Sequence, residues 1–187
     1  MELWIVRHGE TEWSRDLKHT STTDVALTDT GEEQARTLGP VLAMHEFGRV
    51  LCSPLRRARE TARLAGYADP EVLDLLTEFD YGEYEGLTTQ EIREMNPGWE
   101  LWRDGCPGGE TAGDVARRMD EVLQLIGEPE DDVLVFAHGH CLRLLAARYL
   151  GLGREEARLF GLDPGSLSVL GDERETRVMR RWNLTTR

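Results

Sequence analysis

Two histidines, two arginines and a glutamate carry the chemistry of this chain. His8 stands between Arg7 and Gly9, directly after the apolar run Leu3-Trp4-Ile5-Val6. His138 precedes Gly139 and directly follows Val133-Leu134-Val135-Phe136-Ala137. Arg57 lies in the cluster Arg56-Arg57-Ala58-Arg59, and Glu78 in the acidic stretch 77–86. A neutral imidazole is a competent nucleophile toward phosphorus. A phosphoryl group in transfer spreads charge over three equatorial oxygens, so catalysis is mostly positioning and electrostatics. Arginine forks match those oxygens two at a time, and a second, protonated histidine adds a donor. A protonated carboxyl then gives the leaving alkoxide its proton. The set is complete for phosphoryl transfer without a metal, and no cofactor is expected.

Taken singly, each residue has a structural reading. A histidine at a strand end is more often structural than catalytic. The arginine cluster reads first as a solvated helix face, and Glu78 is one acid among several. His138-Gly139-His140-Cys141 resembles a metal pair, but an HxH with no third ligand motif nearby is a weak signal. Only the combination argues for a site, and only if the fold brings the segments together.

The elements that must do so are visible in outline. An apolar run ending in a glycine-containing polar turn reads as a buried strand entering a loop. Ligands of α/β sheets bind beyond the carboxyl ends of such strands. Residues 13–28 read as a polar surface loop over the site. A helix is expected over about 29–44, with Ala35, Leu38 and Leu42 as its apolar stripe. Val50-Leu51-Cys52 reads as a strand. Ser53-Pro54 reads as a helix start with Ser53 as N-cap, the helix running over 55–65 to Gly66. Val72-Leu73-Asp74-Leu75-Leu76 reads as a third strand. Thr88 with Glu91 makes a capping box for a short helix to about Met95. The stretch 96–110 reads as a long loop. Thr111 opens a helix with Val115, Met119, Val122 and Ile126 on one face, ended by Gly127-Glu128-Pro129. A strand over 132–137 and a helix over 141–150 follow. The end reads as a hairpin, 167–170 and 176–182, turning at Gly171-Asp172. Strands alternating with helices imply an α/β sandwich with a largely parallel sheet.

Composition narrows the classes. The chain has 187 residues, 40% apolar and 30% charged, which suits one globular domain over 1–187. Its net charge of −13 argues against nucleic acid or an anionic membrane as partner. Lys18 is the sole lysine, so phosphate-loop and Schiff-base chemistries lose ground. Cys52, Cys106 and Cys141 are far apart and form no CxxC pair, which points to a reducing, cytoplasmic compartment. No signal peptide or membrane-spanning run is seen.

The motifs, in order, resemble those of the histidine phosphatase, or phosphoglycerate mutase-like, superfamily. Arg7-His8-Gly9-Glu10-Thr11 is similar to its signature, and Leu27-Thr28-Asp29-Thr30-Gly31 to its loop-to-helix segment. The stretch from Ser53-Pro54-Leu55-Arg56-Arg57 to Ala62 is similar to the helix of the second arginine. Glu78, with Tyr81-Gly82 and Glu85-Gly86, falls on the proton-donor loop. Gly108-Gly109-Glu110-Thr111 and Val135 to His140 match the last two blocks.

The resemblance implies a three-layer α/β/α sandwich with a mixed, mostly parallel sheet and one antiparallel strand. It implies a phosphohistidine on His8, with Arg7, Arg57 and His138 holding the phosphate. Glu78 would protonate the leaving oxygen and then activate water, with no metal and no organic cofactor. Gly139, Ser14, Thr20, Ser21, Tyr81 and Arg143 are the further candidate phosphate and substrate contacts. Trp102 to Cys106, Gly109 to Thr111 and Phe136 to Arg143 look like the sedoheptulose-bisphosphatase branch and related bacterial acid phosphatases. In the former, the arginine matching Arg143 grips a second phosphate. The expected activity is hydrolysis of small phosphomonoesters, sugar phosphates or bisphosphates. The alternatives are a phosphoglycerate mutase, whose longer insertion and tail this chain lacks, and a binding protein without turnover. The partner is a small phosphate ester. The oligomeric state is not legible.

Overall fold

The computed structural model describes residues 1–127 and 130–185. Strand β1 (Leu3–Arg7) leads through a four-residue helix α1 (Glu12–Arg15) to helix α2 (Asp29–Leu42) and strand β2 (Phe47–Cys52). Helix α3 (Arg56–Leu64), the short strand β3 (Glu71–Val72), and helices α4 (Thr89–Met95), α5 (Leu101–Asp104) and α6 (Ala112–Ile126) follow. Strand β4 (Asp132–Ala137) and helix α7 (Gly139–Tyr149) precede the hairpin of β5 (Leu167–Glu173) and β6 (Thr176–Leu184).

The six strands form one sheet in the order β3-β2-β4-β1-β5-β6. Neighbours from β3 to β1 pair parallel; β5 pairs antiparallel with both β1 and β6. Hence β5 alone, among the described strands, runs against the rest. Side chains alternate across a strand, and both faces are covered. Leu3, Ile5, Val133 and Val135 pack with Val115 and Met119 of α6 and Leu142 and Leu145 of α7. Trp4, Val6, Leu134 and Phe136 pack with Leu38 and Leu42 of α2 and Ala58 and Ala62 of α3. This is the expected three-layer α/β/α sandwich. Double coverage is why β1 and β4 read as continuous apolar runs rather than alternating ones. Each fully buried leucine or isoleucine there contributes about 1.5–3 kcal/mol.

Register sets the site. Arg7 pairs with Ala137, so His8 and His138 leave adjacent parallel strands side by side. Cys52 pairs with Phe136, which brings Ser53 to the same edge.

Several local readings change. The apolar run 72–76 is not a strand. Pairing stops at Val72, and Asp74–Leu76 forms a 3-10 turn that buries Leu76. The run's apolar residues serve packing against α6 rather than a ladder, an ambiguity periodicity cannot resolve for short runs. Ser53 is not a helix N-cap. Helix α3 begins at Arg56, Leu55 gives no side-chain cap, and Asp24 accepts the Arg56 N–H at 3.2 Å from a distant loop. The hairpin turns at Arg174-Glu175, not at Gly171-Asp172, because Gly171 pairs with Val178 inside the ladder. A side chain there would meet Arg180 Nε at 2.8 Å, so this glycine answers to packing. Helix α5 appears inside the expected loop 96–110, and α7 starts at Gly139 rather than at residue 141. Gly127 closes α6 with φ of 64°, while Glu128 and Pro129 lie outside the described residues. Both capping boxes, Thr88 with Glu91 and Thr111 with Asp114, form; the sequence reading had paired only the first.

Candidate active site

His8 is 4% exposed at the carboxyl end of β1, and its backbone N–H donates to Ala137 O at 3.0 Å. Its Nδ1 lies 2.8 Å from Gly9 O. A carbonyl only accepts, so Nδ1 carries the hydrogen and Nε2 keeps its lone pair. Burial first, then the charges of Arg57 and Arg7, push its pKa well below the usual 6.5. The ring is therefore neutral and nucleophilic at Nε2. Gly9 N–H donates to Thr61 Oγ1 at 3.0 Å. A Cβ on Gly9 would fall 2.3 Å from Gly31 O, so only glycine lets the loop after His8 press against the first turn of α2.

Arg57 is fully buried on α3. Its guanidinium donates to the carbonyls of Thr20, Ser21 and Thr23 at 3.0–3.2 Å, tying the loop after α1 to the sheet edge. Its Nε donates to His138 Nδ1 at 3.2 Å. A guanidinium only donates, so the His138 hydrogen is on Nε2, 2.7 Å from Ser53 Oγ. His138 is thus neutral rather than protonated as expected. Burial, then Arg57, His8 and Arg7, lower its pKa well below 6.5. The two histidine rings stand 5.1 Å apart. Arg7 donates to Leu162 O, while its buried Nε has no hydrogen-bond partner among the described residues. That guanidinium lies against Gly139, where a Cβ would come within 3.2 Å of Cζ.

Glu78 is 7% exposed and meets the first turn of α7. Its Oε1 accepts from Phe79 N and Cys141 N, each at 2.9 Å, and Oε2 accepts from His140 N at 3.0 Å. Helix N-terminal N–H groups have no intrahelical partners, and a carboxylate is well placed to take them.

Arg7, His8, Glu78, Tyr81, Gly139 and Arg143 share the lining of one cavity of about 470 Å³. Arg57 and His138 do not line it. Tyr81 OH lies 2.5 Å from His140 Nδ1, and both line the cavity. Burial, then Arg143, His19 and Arg7, lower the His140 pKa well below 6.5. Arg143 stacks 4.6 Å over Trp102 and donates to Ala157 O and Arg158 O. Burial and then Arg7 bring its pKa down to about 10, so it remains a cation at neutral pH. Lys18 lines the cavity too, so three cations, Arg7, Lys18 and Arg143, face two acids, Asp16 and Glu78, in a chain of net charge −13.

The remaining expected contacts are placed differently. Ser14 lines the cavity, but its hydroxyl closes a capping box with Thr11. Thr20 lines it too, its hydroxyl donating to Lys18 O at 3.1 Å. Ser21 is buried and bears on the site through its backbone, which accepts from Arg57 and donates to Glu85. Sequence reasoning missed Ser53, Thr61 and His19. Thr61 follows Arg57 by one helical turn on the same buried face, a spacing that was available to read. His19, which donates through Nδ1 to Leu87 O at 2.8 Å, had no local signal. Among the described residues, no group of three or more His, Cys, Asp or Glu is placed to hold a metal. No helix there is long and apolar enough to cross a membrane.

Known proteins resemble this chain in sequence and fold. The family model of the histidine phosphatase superfamily, branch 1, matches residues 3–185. An acid phosphatase of Mycobacterium tuberculosis is 43% identical over 98% of this chain and 92% of its own. A sedoheptulose 1,7-bisphosphatase of Saccharomyces cerevisiae is 37% identical over 80% of this chain and 67% of its own. A solved structure of an open reading frame product from Mycobacterium tuberculosis superposes with a TM-score of 0.94 at 41% identity, covering 98% of this chain and 97% of that one. Fold and site together define a phosphomonoester hydrolase. The chain belongs to the histidine phosphatase superfamily, branch 1.

Proposed function

We propose that residues 1–187 act as one histidine phosphatase domain that hydrolyses small phosphomonoesters of sugars, including bisphosphates. The observation that carries this reading is the His8 tautomer: Nδ1–H is held by Gly9 O, which leaves Nε2 as the nucleophile. In the first step the Nε2 lone pair attacks phosphorus and the P–O ester bond breaks. The leaving oxygen takes a proton from Glu78. Oε1 already accepts two backbone hydrogens and Oε2 only one, so the proton to be transferred sits on Oε2. In the second step the Glu78 carboxylate takes a proton from water, whose oxygen attacks the phosphohistidine. The P–N bond breaks, and its electron pair returns to Nε2.

Arg7 and Arg57 supply the charge opposite the phosphoryl oxygens, and the unpartnered Arg7 Nε is a donor ready for one of them. Gly139 lets that guanidinium lie against the start of α7. His138, on the next strand, offers to the phosphate an Nε2–H that in this structure is donated to Ser53 Oγ. Arg143 stands in the same cavity, cationic and stacked, in reach of a second anionic group of the substrate. Three buried, unpaired thiols suit a reducing, cytoplasmic setting.

The test is a hydrolysis screen over mono- and bisphosphorylated sugars, with rapid acid quench to trap the labelled enzyme. Phosphate should be released, and the acid-labile label should map to His8 and vanish in His8→Ala. Label on His138 would refute the assignment. Interconversion of phosphoglycerates without phosphate release would replace hydrolase by mutase, and binding without turnover would leave a binding protein.

A further inference from the structure

Glu78 sits in a segment with no strand and no helix to hold it. The ladder ends at Val72, the 3-10 turn ends at Leu76, and the next turn begins at Gly82. Main-chain groups in such a stretch need other partners. One side chain supplies donors to three carbonyls of this stretch. Arg118, on α6, donates through Nη1 to Leu75 O at 2.6 Å and Thr77 O at 3.1 Å. Through Nη2 it donates to Glu78 O at 3.3 Å and Glu110 Oε2 at 2.8 Å. Its Nε donates to Glu110 Oε1 at 2.7 Å. A guanidinium has five N–H bonds in a rigid plane, and here each has an acceptor.

Glu110 completes the frame. Its Oε2 also accepts the Asp80 N–H at 2.9 Å, and its own N–H donates to Asp80 O at 2.9 Å. The Arg118 and Glu110 side chains are only 18% and 22% exposed, and neither lines the cavity. The pair therefore grips the main chain of Leu75, Thr77, Glu78 and Asp80, on both sides of the Glu78 side chain, without reaching the cavity.

We propose that Arg118 and Glu110 are positioning residues that set where the Glu78 carboxyl meets the leaving oxygen. The proposal rests on the reading of Glu78 as the general acid. Removing the guanidinium takes the Arg118 donors from three carbonyls and leaves the mostly buried Glu110 carboxylate with the Asp80 N–H but no counter-charge, so the segment must move to recover partners. Displacement of a catalytic group by about 1 Å is enough to cost about 10²-fold in rate. Lysine keeps the charge opposite Glu110, but it offers three donors from a point rather than five in a plane.

The test compares each enzyme on a sugar phosphate, whose alkoxide needs a proton, and on an activated aryl phosphate, which leaves without one. The ratio of the two kcat/KM values reports the phosphorylation step alone, before the dephosphorylation that both substrates share, and is independent of how much protein is folded. Glu78→Gln is run first and should lower the sugar-to-aryl ratio. Arg118→Met should lower the same ratio by about 10–100-fold with KM nearly unchanged, and Arg118→Lys by an intermediate factor. Glu110→Gln, which keeps an acceptor for Asp80 N–H, serves if Arg118→Met does not fold, and should lower the ratio in the same sense. If Glu78→Gln lowers the ratio and the Arg118 and Glu110 variants leave it unchanged, the pair only supports the fold and the positioning role is overturned. If Glu78→Gln itself leaves the ratio unchanged, the acid is misassigned and both readings fall.

Discussion

Acidification below about pH 6.5 should destabilise this protein through its buried histidines. His8, His138 and His140 are buried, and burial is the first cause holding the pKa of each well below 6.5. In the unfolded chain each returns to about 6.5. As pH falls through that value, the unfolded state takes up protons that the folded state refuses. Stability from these groups is complete above about pH 7.5 and is lost progressively below 6.5, until pH passes the folded values. At about pH 5.5 a single such histidine favours the unfolded state by about 1.4 kcal/mol, against less than about 0.1 at pH 7.5. The three together remove about 4 kcal/mol, a large part of the 5–15 kcal/mol typical of a domain. Acids such as Glu60, Glu85 and Glu91, with lowered pKa, start from 4.5 and add their own losses only at more acid pH. The measurement is urea denaturation followed by circular dichroism at about pH 7.5, 6.5 and 5.5, in buffers without phosphate. His140→Gln removes one titrating ring and should shrink the loss by about a third. A free energy that stays flat over this range, or a His140→Gln variant as pH-sensitive as the wild type, would refute the claim that the rings are kept neutral.

The same neutrality governs turnover: kcat/KM for an aryl phosphate should not fall between about pH 7 and pH 6, and a fall with an apparent pKa near 6.5 would mean that His8 titrates normally. Glu78→Gln should cut turnover of sugar phosphates by about 10²–10⁴-fold, while the phosphorylation step with an aryl phosphate should suffer far less. It should also cost about 1–3 kcal/mol in urea denaturation, since its amide N–H₂ must face one of three backbone N–H donors; equal stability would show that the segment relaxes freely. Gly9→Ala places a Cβ 2.3 Å from Gly31 O. It should destabilise by about 1–3 kcal/mol or more and lower activity on every substrate alike; unchanged stability would mean the loop after His8 is not pressed against α2.

Legibility in the sequence follows how local each cause is. β1 and β4 could be read because strands buried on both faces need apolar residues at consecutive positions, and Arg7, His8 and His138 come at their ends. The fold class followed from strand and helix alternation. Thr88 and Thr111 could be read because a cap acts within four residues. What could not be read depends on groups far away in the chain. Ser53 has the local form of an N-cap, but His138 takes its hydroxyl and Asp24 caps the helix instead. Residues 72–76 have a strand's composition, but α6 provides a better burial than the sheet edge. Gly171 looks like a turn, yet it pairs with Val178 inside the ladder. Arg118 reads as one more charged position on an amphipathic helix, because its acceptors are forty or more positions away, apart from Glu110.

The protonated second histidine that the sequence suggested fails for an instructive reason. Donors for a phosphate were counted one by one, as if each kept its solution charge. Packed together they do not. Arg7 and Arg57 stay charged because guanidinium groups hardly ever lose their proton; burial first, and their charge second, keep His8 and His138 neutral. The two arginines therefore act twice. They place positive charge where the phosphoryl oxygens must lie, and they hold the nucleophile in its reactive form at pH values where a free histidine would be protonated. A lysine at either position would weaken both effects, since its ammonium gives up its proton more readily when buried. The proposed mechanism needs a neutral imidazole and a protonated carboxyl at the same pH, and burial together with this charge arrangement secures the first of the two.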